Sequence, residues 1–90
     1  MNYIETAIFR KTARRLDAPA RAALVNVLTQ IEAAHNINDI PNVKDLKGGK
    51  NKGFFRIRFG DYRLGFFLTS DNDIQLREVG PRGDFYKTFP

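Results

Sequence analysis

Arg56, Arg58 and Arg63 stand on either side of a Gly60-Asp61 dipeptide. A two-residue type II′ turn with glycine at its first corner would pair Phe59 with Tyr62, Arg58 with Arg63, Ile57 with Leu64 and Arg56 with Gly65. The three guanidiniums then share one face of a hairpin. Like charges placed directly opposite cost a sheet on the order of half a kcal/mol, so the arrangement gains nothing as structure alone. A bound polyanion reverses the sign, because guanidinium forks match phosphate oxygens. Gly65 also leaves a gap beside Arg56, through which a ligand backbone could come close. A single arginine on a solvated sheet face carries no such meaning; three converging on one face favour anion binding.

Arg82 and Tyr86 add to this set at a spacing of four, which one helical turn would bring onto a common side. Tyrosine stacks on unpaired RNA bases, although the same spacing suits a half-buried core tyrosine. The Lys47 to Gly53 loop is rich in glycine and lysine but lacks the Walker pattern, and it reads as a flexible basic loop. His35, near a helix end, is given no role. One histidine and no cysteine cannot build a zinc site of the usual nitrogen and sulfur ligands, and no cofactor is implied. A net charge of +5 on so small a chain favours polyanionic partners.

These residues need a scaffold, and the chain reads as α+β with a helical first half and a strand-rich second half. Tyr3 and Ile4 open a short strand. Phe9, Ala13 and Leu16 then fall at helical spacing among Arg10, Lys11, Arg14 and Arg15. Asp17 offers an N-cap and Pro19 a first helical turn for a second helix, with Leu24, Leu28 and Ile31 inward, as far as about Ala34. Asn36 to Lys52 has no period and reads as a loop anchored by Val43 and Leu46. Alternation marks strands over Phe54 to Phe59 and Tyr62 to Leu68, and a third over Ile74 to Val79, ended by Gly80 and Pro81. The expectation is one domain over residues 1–90, with two N-terminal helices packed on a small, antiparallel-rich, four-stranded sheet. No apolar run approaches the roughly 20 residues that cross a bilayer. The polar start lacks a signal peptide's order, so a cytoplasmic location without membrane association is expected.

Phe9 to Leu16, Pro41-Asn42-Val43-Lys44-Asp45-Leu46-Lys47-Gly48, Phe55-Arg56-Ile57-Arg58-Phe59-Gly60-Asp61-Tyr62-Arg63 and Val79-Gly80-Pro81-Arg82-Gly83-Asp84-Phe85-Tyr86-Lys87 stand in an order and at distances that resemble the RelE/ParE family of bacterial toxins. The resemblance covers nearly the whole chain. It implies helices on one sheet face, a concave basic face on the other, and an antitoxin protein that covers the toxin and binds operator DNA with it. For the RelE-like branch it implies a ribosome-dependent endonuclease that cuts messenger RNA by attack of a ribose 2′-hydroxyl on the adjacent phosphate, without a metal. On that reading Arg63, Arg82, Tyr86 and Arg56 are the catalytic set. Arg63 and Arg82 would stabilise the transition-state charge, and Tyr86 would stack on a base or pass a proton. Arg58, with Lys47 and Lys52, would bind RNA phosphates.

The chain also departs from that pattern. Arg56 stands where several relatives carry a lysine or histidine able to exchange a proton, and arginine stays charged because its pKa is above about 12. Pro81 stands where many relatives have histidine. A conventional general base is therefore missing, with Glu78, Asp84, Tyr86 and Lys52 as unranked candidates. The rival readings are a ParE-like toxin that poisons DNA gyrase without cutting RNA, and a decayed toxin that only binds antitoxin.

Overall fold

The computed structural model describes residues 1–47 and 49–90. Strand β1 (Tyr3–Glu5) leads into helix α1 (Ala7–Ala13), and α2 (Ala18–Ala33) follows after a turn. Both helices start where a side chain satisfies an orphan amide. Thr6 Oγ1 accepts from the Phe9 amide at 3.2 Å and donates to the Leu76 carbonyl at 2.7 Å, tying α1 to the sheet as well as capping it. Asp17 accepts from the Ala20 amide at 3.0 Å, with proline in the first turn.

The inward stripe of α2 is Ala20, Leu24, Val27 and Ile31, all buried, whereas Leu28 is only half-buried. Leu16 is also buried, but it lies beyond the end of α1, in the turn that closes with the Leu16 amide on the Ala13 carbonyl. With Phe9 these side chains cover Ile57, Leu64, Phe66, Ile74, Leu76 and Val79 of the sheet in one core. Each large aliphatic or aromatic side chain buried there contributes about 1.5–3 kcal/mol as an upper value.

Among the described residues the sheet has five strands, one more than the sequence suggests, and is mixed. Its order is β1-β5-β4-β3-β2, with β2 at Val43–Asp45, β3 at Phe54–Phe59, β4 at Tyr62–Leu68 and β5 at Ile74–Pro81. β1 lies parallel to β5, and every other pairing is antiparallel. The added strand, β2, falls in the stretch read as a loop. It pairs Val43 with Ile57 and Asp45 with Phe55, and three residues are too few for any periodicity to show. Single turns of 3-10 helix flank it at Ile37–Asp39 and Gly49–Asn51.

β5 does not stop at Val79 but continues through Gly80 and Pro81, which pair with Arg63 and Tyr62. Proline is accommodated because β1 covers only Ile74 to Leu76 of β5, so its missing N–H faces a side with no strand partner. A third helix, α3 (Arg82–Thr88), adds to the two that the sequence suggests. Phe85 and Phe89 recur at helical spacing and are buried, and this packing holds a short segment helical despite Gly83.

Candidate functional site

The β3–β4 hairpin has the register that its turn dictates, with Arg58 opposite Arg63, Ile57 opposite Leu64 and Arg56 opposite Gly65. Gly60 has φ of +58°, the left-handed value that the first corner of such a turn requires and that glycine adopts without strain. Ile57 and Leu64 point into the core, so Arg56, Arg58 and Arg63 share the opposite face.

That face is not uniformly basic. Toward the far end of the hairpin Phe54 meets Phe67 edge-on at 5.0 Å and Phe89 at 5.7 Å, and Phe89 lies 4.8 Å from Phe85 of α3. The gap expected at Gly65 is filled by this cluster. A Cβ built on Gly65 would stand 2.5 Å from the Phe89 ring, so the chain's own C-terminal segment, and no ligand, makes the close approach there. Gly80 has the opposite character. It pairs with Arg63 across β4 and β5, and a Cβ built on it meets no atom within 4 Å. The open space at Gly80 belongs to a depression that it shares with Glu78, Pro81 and Asp84.

Arg63 is 8% exposed. Among the described residues, its Nη1 donates to main-chain carbonyls at 2.9 Å to Tyr62 and 3.4 Å to Gly60, and its buried Nε has no partner. A guanidinium largely removed from water, with only carbonyl acceptors among the described residues, is held at a cost that a carboxylate or phosphate would offset. Arg82, the first residue of α3, is drawn to the same place because its amide donates to the Asp61 carbonyl at 3.0 Å. Arg58, Arg63 and Arg82 line one open depression of about 670 Å³ at the hairpin tip. Asn26 and Gln30 of α2 and Asn42 also line it, as does Asp61, which is its one acidic residue among those described.

Other expected site residues stand outside this depression. Arg56 is half-buried, donates from Nη1 to the Asn42 carbonyl at 3.2 Å, and also leaves its Nε unpartnered. Tyr86 lies one helical turn after Arg82, half-exposed, with its ring edge-on to Phe85 at 5.1 Å. Lys47 and Lys52 are exposed in the loop between β2 and β3, and Gly48, which closes the Pro41 to Gly48 motif within that loop, lies outside the described residues. Glu78 and Asp84 line a different depression, against Lys11, Thr12 and Arg15 on the α1 side, and Glu78 accepts a hydrogen bond from the Thr88 hydroxyl. Asp61, Asn26 and Gln30 were not legible as site residues. The i, i+4 spacing of Asn26 and Gln30 on an exposed helix flank was their only signal.

Among the described residues no cluster of three or more potential metal ligands occurs, and no helix is long and apolar enough to cross a membrane. No family model matches the chain. It is 28% identical, over the whole of both sequences, to toxin RelE3 of Methanocaldococcus jannaschii. Its fold is that of a chain in the RelB-RelE antitoxin-toxin complex from Methanococcus jannaschii, with a TM-score of 0.77 and 24% identity over 97% of this chain and 99% of that one. The RelBE2 toxin-antitoxin complex from Mycobacterium tuberculosis matches at 0.71 and 21%, covering 90% of this chain and 96% of that one. The isolated RelE toxin of E. coli matches at 0.67 and 18%, covering 96% and 90%.

Proposed function

We infer that this chain belongs to the RelE family of toxins of type II toxin-antitoxin systems and that it inhibits translation by cutting messenger RNA in the ribosome. The observation that carries the catalytic part is Arg63, a buried arginine with no acidic partner among the described residues, joined by Arg58 and Arg82 in one depression.

In this reaction the nucleophile is the RNA's own 2′-hydroxyl. The protein's task is to bend the backbone into line and stabilise the negative charge that gathers on the phosphorus oxygens. Arg63 is suited to the second task because it is fixed by its two carbonyl contacts and needs little reorganisation when charge develops. Arg82 would share that charge from the start of α3. Arg58, exposed opposite Arg63, would grip the adjoining phosphate, and Arg56 would hold the backbone from the edge of the site. Tyr86, on the same helix as Arg82, would stack on a base. Lys47 and Lys52 would contact phosphates farther along the strand. The reaction, so staffed, draws its charge stabilisation from arginines and requires no metal.

The reading takes residues 1–90 as one toxin domain acting in the cytoplasm, where ribosomes are. Its partners are the ribosome, its message, and an antitoxin like the RelB chains complexed with the relatives, the pair together binding operator DNA. The test is reconstitution: ribosomes holding a 5′-labelled message are mixed with the purified chain. The expected products carry a 2′,3′-cyclic phosphate and a 5′-hydroxyl, and disappear with Arg63→Ala. Intact message, with gyrase-linked DNA cleavage instead, would refute the ribonuclease reading in favour of a gyrase poison.

A further inference from the structure

We propose that Asp61, in the hairpin turn, is the proton acceptor of the cleavage reaction. The inference rests on the ribonuclease reading and supplies the base that the sequence lacks. Among the described residues lining the depression that holds Arg58, Arg63 and Arg82, Asp61 is the one acid. Of the other candidates, Glu78 and Asp84 line a separate depression, and Glu78 is engaged by Thr88.

Asp61 is also fixed where the charge-stabilising groups are. The Arg63 guanidinium binds the carbonyls of its two neighbours, Gly60 and Tyr62, and the Arg82 amide binds its own carbonyl. Any phosphate held by Arg63 and Arg82 is therefore held beside Asp61. The charged groups around it are Arg58 from β3, Arg63 from β4 and Arg82 from α3, while α2 contributes the neutral Asn26 and Gln30.

A carboxylate in a phosphate-binding depression weakens binding by repulsion. The turn does not require it, since asparagine or serine after glycine suits such a hairpin corner equally well. A base in that position accounts for the carboxylate. The Asp61 carboxylate takes the 2′-hydroxyl proton as O2′ forms its bond to phosphorus. The P–O5′ bond breaks, its electron pair leaves on O5′, and O5′ takes a proton from water. Asp61 then returns its proton to solvent, leaving a cyclic phosphate and a 5′-hydroxyl.

The experiment compares native protein, Asp61→Asn and Asp61→Ser in single-turnover cleavage of ribosome-bound message across pH. Loss of a general base lowers the rate at saturation by about 10²–10⁴-fold. The acid limb of the native pH profile should disappear, and apparent affinity should stay the same or tighten, because a repulsive charge has gone. A structural role would instead lower the melting temperature and leave the acid limb in place. Native rates and an unaltered pH profile in both variants would overturn the proposal while sparing the ribonuclease reading. Failure of the native protein to cut would overturn both.

Discussion

Replacing Arg63 by methionine separates the two roles an arginine at this position can have. The guanidinium makes two hydrogen bonds from Nη1, at 2.9 and 3.4 Å, and leaves a buried Nε without a partner. Bonds from a charged donor contribute about 1.5–3 kcal/mol each, the longer one less. The Gly60 and Tyr62 carbonyls stand near the hairpin tip, where water can replace the arginine. Against that loss, a buried ion pair exchanged for apolar groups of similar volume is neutral or stabilising by about 1–4 kcal/mol, and a guanidinium without an acidic partner gains on a similar scale from escaping its desolvation. The two effects nearly cancel, so Arg63→Met should change stability by about 1 kcal/mol either way, a Tm shift of roughly 4–8 °C. Cleavage should fall about 10²–10³-fold, the usual cost of one preorganised donor to a developing oxyanion. Inorganic phosphate links the two readouts. At a concentration about 100 times its Kd it should stabilise the native protein by about 2.7 kcal/mol and should leave the variant's melt where it was. A variant that unfolds at ambient temperature, or one that keeps the phosphate shift, would refute the assignment of Arg63 as a poised anion site.

Other perturbations probe the scaffold. Gly65→Ala places a methyl 2.5 Å from the Phe89 ring, so the ring must leave its seat. Loss of its burial should cost about 1.5–3 kcal/mol, read as a lower Tm. Asp17→Ala removes the cap on the Ala20 amide and should cost about 1 kcal/mol in chemical denaturation with cleavage unchanged. Burial, and then the negative charges of Glu32 and Glu5, push the Tyr3 phenol above its ordinary value of 10.0. The folded chain therefore keeps that proton to higher pH than the unfolded one. The resulting stability is full below pH 10.0 and is lost as pH rises through the raised folded value. Tyr3→Phe should flatten the fall of Tm above that pH, and an equally steep fall would contradict the assignment.

The sequence revealed most where structure is local. The β3–β4 hairpin was legible to the residue, because alternation defines its faces and Gly60-Asp61 sets its register. The Asp17 N-cap was equally readable, whereas the Thr6 cap was not. What escaped depends on partners distant along the chain. β2 is a strand only because β3 lies beside it, and the parallel seat of β1 on β5 leaves no mark in either segment. Gly65 looked like an opening for a ligand because nothing near it announces Phe89, whereas Gly80, read as a strand terminator, is a paired strand residue with open space above it. Asp61 was read only as a turn residue. Its place among the arginines required the carbonyl contacts that fold Arg63 and Arg82 back onto the turn.

The central claim is that the arginine-lined hairpin tip cuts messages during translation. It is tested most directly by inducing the chain without an antitoxin and mapping new 5′ ends on cellular RNA. The account predicts codon-phased ends confined to translated regions, absent when ribosomes are kept off the message and absent with Arg63→Met. Growth arrest with intact messages and gyrase-linked DNA breaks would contradict it.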